Sequence, residues 1–123
     1  MRILITGATG FVGNHLRRYF LAHTDWDIIG TSYPDMPPAP FDPQRETLRF
    51  LDLRDVEATY ALLGQSPPEY IIHLAAQSHI PTSYQDPWST LENNIRGQLN
   101  LLEGCVALKI APRMLVIGSG EEY

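Results

Sequence analysis

The chain of 123 residues contains little lysine, little cysteine and no long apolar run. Lys109 is its one lysine and the formal net charge is −5, which argues against nucleic acid or an anionic membrane as the main partner. The single cysteine, Cys105, cannot form an internal disulfide, so nothing indicates an oxidising compartment. No apolar run approaches the roughly 18 residues of a membrane span, and an early glycine interrupts any signal-peptide core. We therefore expect a cytoplasmic protein that binds neither nucleic acid nor membrane.

Histidine is present at four positions, and none of them is spaced for metal binding. His15, His23, His73 and His79 have no cysteine or carboxylate partner at ligand spacing. A structural zinc site needs four such side chains around one ion, and a catalytic site needs three. The sequence therefore predicts no metal site.

Short apolar runs and helical patterns alternate along the chain, with glycine or proline between them. Strand, helix and strand in repetition are typical of α/β proteins, with a parallel sheet and helices on its faces. The length suits one domain with a core of its own. Arg17 and Arg18, the one adjacent basic pair, are expected to be exposed on the first helix. The predicted strands are residues 3–5, 27–31, 48–51, 70–75 and 114–117, and the predicted helices are about 12–20, 55–63 and 88–108.

Two of these elements have a more specific pattern. The run at 70–75 is continuously apolar, which predicts a strand buried on both faces. The long helix is predicted from apolar residues at helical spacing, which are Leu91, Ile95, Leu99, Leu102 and Val106.

A proline-rich segment interrupts the alternation between the second and third strands. Five of the ten prolines lie within residues 34–43, and proline at that density excludes a helix. We expect an irregular connecting loop. Overlapping P-x-x-P spacings leave open a second interpretation, a polyproline ligand for a partner protein.

A glycine-rich loop follows the first strand and begins the first helix. Its spacing is G-x-x-G-x-x-G, with Gly7, Gly10 and Gly13 as the glycines and with Phe11 and Val12 as the first helical residues. The first glycine allows a sharp turn, the second lets a pyrophosphate approach the backbone, and the third allows close helix–sheet packing. The helix N-terminus offers N–H groups to the phosphates. This context predicts a dinucleotide-binding loop.

The end of the second strand carries the next cofactor signal. An acidic residue at that place favours NAD through the adenosine ribose, whereas a basic one favours NADP. The chain has Ser32 there and no acid. A small neutral residue removes the repulsion that a 2′-phosphate would meet, so the sequence favours NADP over NAD. The alternative is that Ser32 only begins the loop.

Five segments of the chain form a recognisable set of motifs, and they are residues 6–13, 52–55, 73–79, 94–102 and 118–123. In this order they resemble the extended short-chain dehydrogenase/reductases, the family of nucleotide-sugar epimerases, dehydratases and reductases. The resemblance covers essentially the whole chain. It implies a three-layer Rossmann-type fold, a parallel five-stranded sheet in the order 3-2-1-4-5 with helices on both faces.

The resemblance also implies which residues contact the cofactor. Asp52 and Leu53 match the pair that lies beside the adenine, and Asn94 matches a helix asparagine that braces the site. The residues expected near the nicotinamide-side ribose are Leu74, Ala75 and Ala76.

Candidate substrate and catalytic residues follow the fourth and fifth strands. Ser119 aligns with the family's catalytic Ser/Thr, which hydrogen-bonds the hydroxyl or carbonyl that is oxidised or reduced. Glu121 is a candidate acid or base, with structural capping as the alternative. Ser78 and His79 are placed to reach a sugar or phosphate. The alternatives are a serine that begins a helix and an exposed histidine.

One part of the family's apparatus is missing from this sequence. The acid–base group of the family is the tyrosine of a Tyr-x-x-x-Lys motif, in which the lysine lowers the tyrosine pKa. No tyrosine here has a lysine four residues later. We interpret residues 1–123 as a truncated NAD(P)-binding domain, without the catalytic Tyr/Lys region and without a substrate domain.

The implied function is the NAD(P)-binding portion of a nucleotide-sugar oxidoreductase acting at C4 of an NDP-hexose. Gly120, beside Ser119, resembles the reductases of GDP-4-keto-6-deoxy-mannose, since sugar 4,6-dehydratases often have Asp-Glu there. The 75–79 run, however, also resembles GDP-mannose 4,6-dehydratases, so a dehydratase or an epimerase stays as the alternative.

The resemblance also implies the partners of the full-length protein. A nucleotide sugar would be its substrate, and relatives commonly form homodimers through helices such as 88–108. A further alternative is a non-enzymatic dinucleotide sensor that binds partners through residues 34–43.

Overall fold

The computed structural model describes residues 1–33, 42–74 and 87–117 of the chain. The described part contains five strands and three helices, close to the predicted positions. The strands are β1 (Arg2–Thr6), β2 (Asp27–Ser32), β3 (Glu46–Phe50), β4 (Tyr70–His73) and β5 (Arg113–Val116), and the helices are α1 (Phe11–His23), α2 (Val56–Gln65) and α3 (Pro87–Ala107).

The five strands form one parallel sheet in the order β3-β2-β1-β4-β5. β1 is central, and its last residue Thr6 pairs with Thr31 of β2 on one side and with His73 of β4 on the other. The predicted strand order is therefore confirmed. The carboxyl ends of β1 and β4 flank the point where the strand order reverses, which is where ligands bind in open α/β sheets.

Helices cover the two faces of the sheet and form two separate cores, because alternate side chains of a strand point to opposite faces. Leu4 of β1 points to the face covered by α2 and α3, whereas Ile3 and Ile5 point to the face covered by α1. This confirms the predicted three layers. The first core contains Leu4, Ile29, Leu53, Leu62, Leu63, Ile71, Leu101 and Cys105, and the second contains Ile3, Ile5, Ala8 and Ile28.

Helix α3 has the predicted length, but it is buried through the face that carries Leu101 and not through the face of the apolar residues from which it was predicted. Ile95 and Val106 are 60% and 78% exposed, whereas Gly97, Asn100 and Gly104 are buried. A Cβ at Gly104 would come within 2.7 Å of Leu63 Cδ1. Small residues therefore bring α3 close to α2, and its apolar stripe faces outward.

Strand β4 is also less covered than predicted. Ile71 and His73 are buried, whereas Tyr70 and Ile72 on the opposite face are half-buried. These two residues border an apolar groove of about 290 Å³ that also contacts Phe20, Trp26 and Leu115. The prediction of burial on both faces is therefore wrong for the face that α1 shares, because α1 covers β1 and β2 more fully than β4.

The expectation for the basic pair on α1 is half correct. Arg18 is exposed, but Arg17 is only 5% exposed and its Nε donates to Glu46 Oε2 at 2.6 Å. A buried guanidinium needs such a partner, and the acid that supplies it is 29 residues away in the chain. Sequence spacing did not indicate the pair.

The proline-rich segment 34–41 lies outside the described residues, and the P-x-x-P interpretation lies there with it. Among the residues that the structure does describe, no helix is long and apolar enough to cross a membrane. Within that same part of the chain, no three His, Cys, Asp or Glu side chains converge to hold a metal ion.

Candidate dinucleotide site

The glycine-rich loop leaves β1 through a backbone conformation that favours glycine. Gly7 has φ 68°, which residues with a side chain rarely adopt. The Gly10 N–H then donates to the Gly7 carbonyl at 3.1 Å, and the Ala8 N–H donates to the Thr31 carbonyl at 2.9 Å. The loop is thus a tight turn tied to the end of β2.

Gly13 and Gly10 differ in how much room surrounds them. A Cβ at Gly13 would collide with the Gly7 carbonyl oxygen and come within 2.8 Å of the Ala8 backbone. Among the described residues, a Cβ at Gly10 would meet only the Gly7 oxygen, at 3.4 Å. The close approach predicted for Gly13 is therefore present. Packing therefore does not require glycine at position 10, and the lack of a side chain there leaves space for a ligand to approach the backbone.

The N-terminus of α1 lies at the edge of the sheet formed by the carboxyl ends of the strands, next to the glycine loop. Gly10 is its N-cap and provides no side-chain cap, no acid occupies the first turn, and Phe11 and Val12 are exposed. In α2, by contrast, Asp55 accepts a hydrogen bond from the Ala58 N–H at 3.1 Å. An uncapped helix start leaves N–H donors and a positive dipole end for an anion.

Ser32 lies at the carboxyl end of β2, and its side chain is buried. The residue is 4% exposed, and within the described residues its Oγ has no hydrogen-bond partner. Buried hydroxyls normally have a partner, so this one fits a hydrogen bond to a ligand. Beside it, Tyr33 and Phe50 are half-exposed, with ring centroids 5.3 Å apart.

Asp52 follows β3 and lies close to the end of β2, since the Leu51 N–H donates to the Ser32 carbonyl at 2.9 Å. Its carboxylate pairs with Arg54, whose Nη2 is 2.8 Å from Oδ2. The hydrogen bonds from Arg54 hold the pKa of the Asp52 carboxyl below its usual value. The Asp52 carboxylate is therefore ionised. Because it is also partly exposed, it can accept hydrogen bonds from N–H groups of a ligand.

Leu53 lies next to Asp52, but its side chain is buried in the core and does not face the ligand edge. It is 7% exposed and approaches Gly97 of α3. Its carbonyl accepts from Asn100 Nδ2 at 2.7 Å and from Thr59 Oγ1 at 3.3 Å. Its predicted contact with adenine would thus use its backbone or the exposed part of the residue. The buried Asn100, which sequence reasoning missed, holds this loop against α3.

Thr6 and His73 form a buried polar pair where β1 and β4 end. Thr6 Oγ1 is 2.7 Å from His73 Nδ1, and the Leu74 N–H also contacts Thr6 Oγ1 at 3.0 Å. Burial lowers the pKa of His73, so the imidazole is neutral near neutral pH. The pair fixes the backbone at Leu74, a predicted cofactor residue. In the sequence, the Thr6–His73 pair is marked only by the fact that each residue is polar and ends an apolar strand.

The lowered pKa of His73 predicts a loss of stability on mild acidification. The unfolded chain titrates near the ordinary value of 6.5 and the folded chain below it, so the unfolded state binds more protons between those values. The free energy of unfolding should therefore fall from pH 7 to pH 5, by at most about 1.4 kcal/mol per pH unit. The paired carboxylate of Asp52 adds a loss only below its ordinary value of 3.8.

Urea unfolding at stepped pH measures this slope. His73→Asn, which can still hydrogen-bond Thr6, should flatten it, whereas His23→Gln at an exposed position should leave it unchanged. Equal slopes in the wild type and His73→Asn would contradict the assignment.

The structure describes only some of the remaining predicted site residues. Asn94 is half-buried on α3. The described part of the chain brings together the glycine loop, Ser32, Asp52 and Leu74 at one edge of the sheet. The predicted residues that lie outside the described ranges are Ala75, Ala76, Ser78, His79, Ser119 and Glu121.

Known proteins are similar to this chain in sequence and in fold. The chain is 34% identical over 123 residues to GDP-6-deoxy-D-mannose reductase of Pseudomonas aeruginosa, covering 99% of this chain and 35% of the reductase. It is 30% identical over 113 residues to dTDP-glucose 4,6-dehydratase 1 of Escherichia coli, covering 84% of this chain and 30% of that enzyme. The crystal structure of Thermus thermophilus UDP-glucose 4-epimerase in complex with NAD matches with a TM-score of 0.78 and 31% identity, over 89% of this chain and 35% of the epimerase.

The chain thus spans about a third of the length of these relatives. A model of the NAD dependent epimerase/dehydratase family matches residues 3–123. The sheet order, the glycine loop after β1 and this match over almost the whole chain agree. The protein therefore belongs to the NAD dependent epimerase/dehydratase family.

Proposed function

We propose that this chain is the dinucleotide-binding domain, residues 1–123, of an enzyme that modifies nucleotide sugars. The observation that carries the proposal is one edge of the sheet, where the uncapped N-terminus of α1 follows the glycine loop and the buried Ser32 hydroxyl has no hydrogen-bond partner among the described residues. Anion-binding N–H groups and a buried hydroxyl without a partner fit a pyrophosphate linked to a ribose.

Each part of the cofactor has proposed contacts at this edge. The first-turn N–H groups, at Phe11, Val12 and Gly13, would hold the pyrophosphate, and Gly7 and Gly10 would let it approach. Ser32 would contact the adenosine ribose, and Asp52 with Leu53 would contact the adenine.

The nicotinamide side of the cofactor lies where β4 ends, and a bound nicotinamide cofactor supplies or accepts a hydride. The residues proposed for the nicotinamide side are Leu74, Ala75 and Ala76, with Asn94 bracing them.

The proposed reaction is hydride transfer at C4 of an NDP-hexose, as in a GDP-4-keto-6-deoxy-mannose reductase. The similarity to the Pseudomonas reductase over 99% of this chain supports this choice. The similarities to a 4,6-dehydratase and a 4-epimerase keep those reactions as the alternative. Ser78, His79, Ser119 and Glu121 are the proposed substrate-side residues. Because these 123 residues contain no Tyr-x-x-x-Lys, we expect binding without turnover, and the test is a binding experiment.

We propose NADP as the preferred cofactor. The last residues of β2 carry no acid, and the carboxylate of the nearby Asp52 is balanced by its ion pair with Arg54. A 2′-phosphate would therefore meet no opposing carboxylate at Ser32. The charge pattern supports this choice over NAD.

Calorimetric titration with NADPH and NADH tests both proposals. We expect the wild type to bind NADPH about tenfold more tightly than NADH, a difference of about 1.4 kcal/mol. Ser32→Asp should weaken NADPH binding by at least about tenfold through charge repulsion. NADH serves as the matched ligand, since it lacks the 2′-phosphate and its binding also reports that the variant is folded.

The outcomes separate the two proposals. Absence of heat with either dinucleotide for the wild type would overturn the dinucleotide-binding function. Equal affinities for NADPH and NADH, with an equal effect of Ser32→Asp on both, would overturn only the NADP preference.

We also propose a homodimer that covers the outer face of α3. Four apolar side chains of that face are 44% exposed or more, and they follow one another at helical spacing. A contiguous apolar stripe on a surface helix is typical of an interaction site. The four residues are Ile95, Leu99, Leu102 and Val106.

A further inference from the structure

A buried ion pair joins α1 to β3 directly beneath the glycine loop. Arg17 and Glu46 have side chains that are 6% and 1% exposed, and their Nε and Oε2 atoms are 2.6 Å apart. The other Glu46 oxygen accepts the Asp42 N–H at 3.0 Å. Because the charges cancel within the pair, the network presents little net charge to its surroundings.

The Arg17 guanidinium also reaches the glycine loop through its Nη1 atom. Its Nη1 donates to Asn14 Oδ1 at 2.6 Å and lies 3.5 Å from the Ala8 carbonyl. Asn14 Nδ2 in turn donates to the Thr9 carbonyl at 3.1 Å. Two consecutive loop carbonyls are therefore held from the protein side.

Holding a carbonyl also orients the N–H of the next residue. In a planar trans peptide the C=O and the following N–H point in opposite directions. With the Ala8 carbonyl held toward Arg17, the Thr9 N–H points away from it. With the Thr9 carbonyl held by Asn14, the Gly10 N–H is directed to the Gly7 oxygen that it contacts at 3.1 Å. The network thus sets the shape of the loop on which a phosphate would lie.

We infer that Glu46, Arg17 and Asn14 form a positioning network that preorganises the glycine loop for the pyrophosphate of a dinucleotide. The inference rests on the proposed function. A loop that is already ordered loses less conformational entropy when a ligand binds, so its affinity is higher. Arg17 acts through the Ala8 carbonyl and Asn14, and it contacts no phosphate itself.

The decisive variant removes the pair together. Arg17→Met with Glu46→Met replaces two charges by unbranched apolar side chains, which avoids an unpaired buried charge. We expect NADPH to bind about tenfold more weakly to this double variant. Adenosine, which has no pyrophosphate, should bind equally well to the wild type and the double variant when titrated by NMR. A general loss of structure would weaken both ligands.

A second variant leaves the ion pair intact. Asn14→Ala removes the link to the Thr9 carbonyl, and we expect roughly threefold to tenfold weaker NADPH binding with adenosine binding unchanged. Arg18→Met, at the exposed neighbouring position, is the matched control and should bind NADPH as the wild type does.

Salt concentration separates positioning from direct charge attraction. Each variant's Kd for NADPH, divided by the wild-type Kd, should be the same at low and high salt, because the network carries little net charge. A ratio that falls toward one at high salt would show that Arg17 attracts the phosphate directly and would overturn the inference.

The remaining outcomes are also decisive. Unchanged NADPH affinity in Asn14→Ala and the double variant, or an equal loss of adenosine and NADPH affinity, would overturn the network's role while leaving dinucleotide binding established. If the double variant does not fold, Asn14→Ala decides alone. If the wild type binds no dinucleotide, the proposed function fails and the network has no cofactor to position.

Discussion

Replacing Gly13 with alanine is expected to disrupt both the fold around α1 and the binding of any dinucleotide. The added Cβ would collide with the Gly7 carbonyl and come within 2.8 Å of the Ala8 backbone, and backbone cannot rotate away as a flexible side chain can. We expect the free energy of unfolding to fall by about 3 kcal/mol, the upper part of the range for overpacking. Dinucleotide affinity should fall by at least about 100-fold, because α1 and the loop shift together. Urea unfolding and calorimetry measure the two effects.

Gly10→Ala and Gly64→Ala are the matched controls for this substitution. At Gly10 the new Cβ would be 3.4 Å from the Gly7 oxygen, so we expect stability within about 1 kcal/mol of the wild type but weaker cofactor binding. At Gly64, near the end of α2, the nearest atom is Leu108 Cδ2 at 3.8 Å. That variant should be more stable by about 0.5–1 kcal/mol, because alanine favours the helix. If Gly13→Ala were as stable as Gly64→Ala, the tight helix–sheet contact would be wrong.

Replacing Glu46 with methionine should cost about 3–5 kcal/mol of stability, because it leaves the Arg17 guanidinium buried without its carboxylate. Arg17 is 5% exposed and, within the described part of the chain, would retain only Asn14 and the Ala8 carbonyl as partners. A loss of that size is a large fraction of the 5–15 kcal/mol that typically stabilises a domain. Chemical unfolding at low temperature, followed by circular dichroism, measures it.

The exposed pair of Asp52 and Arg54 provides the comparison. Its side chains are 27% and 36% exposed, and partly exposed pairs contribute about 0–1 kcal/mol. Arg54→Met should therefore cost less than about 1 kcal/mol. Adding Arg17→Met to Glu46→Met should restore at least half of the lost stability, since it removes the unpaired charge. A Glu46→Met variant no less stable than Arg54→Met would show that the pair is not buried as described.

Local sequence patterns predicted the strands and helices correctly, and the family resemblance supplied the strand order that the structure confirms. Apolar runs separated by helical patterns indicated the parallel sheet, and Gly7, Gly10 and Gly13 indicated the phosphate loop. These features are local, because a strand, a turn and a helix start are determined largely by neighbouring residues. The strand boundaries differed from the predicted ones by one or two residues, and α1 extends three residues beyond its predicted end.

The buried face of α3 shows why pattern alone was insufficient. Its exposed apolar residues predicted the helix correctly, but the face that packs on α2 combines Leu101 with small and polar residues such as Gly104 and Asn100. Close approach of two helices needs small side chains, and hydrophobic periodicity does not register them. Strand β4 gives a second example, because its apolar residues do not record how much of each face a helix covers, and one face is only half-buried.

The alternation of elements predicted from sequence alone a parallel α/β protein, which the structure confirms, and the glycine spacing predicted a loop suited to phosphate after the first strand. Only the tertiary structure showed that Arg17 is buried against Glu46, that Thr6 contacts His73 and that the Ser32 hydroxyl is buried without a partner among the described residues. The two pairs join residues 29 and 67 positions apart. Whether a polar side chain is buried, and what it contacts, depends on which distant segments pack around it, and no local pattern records that.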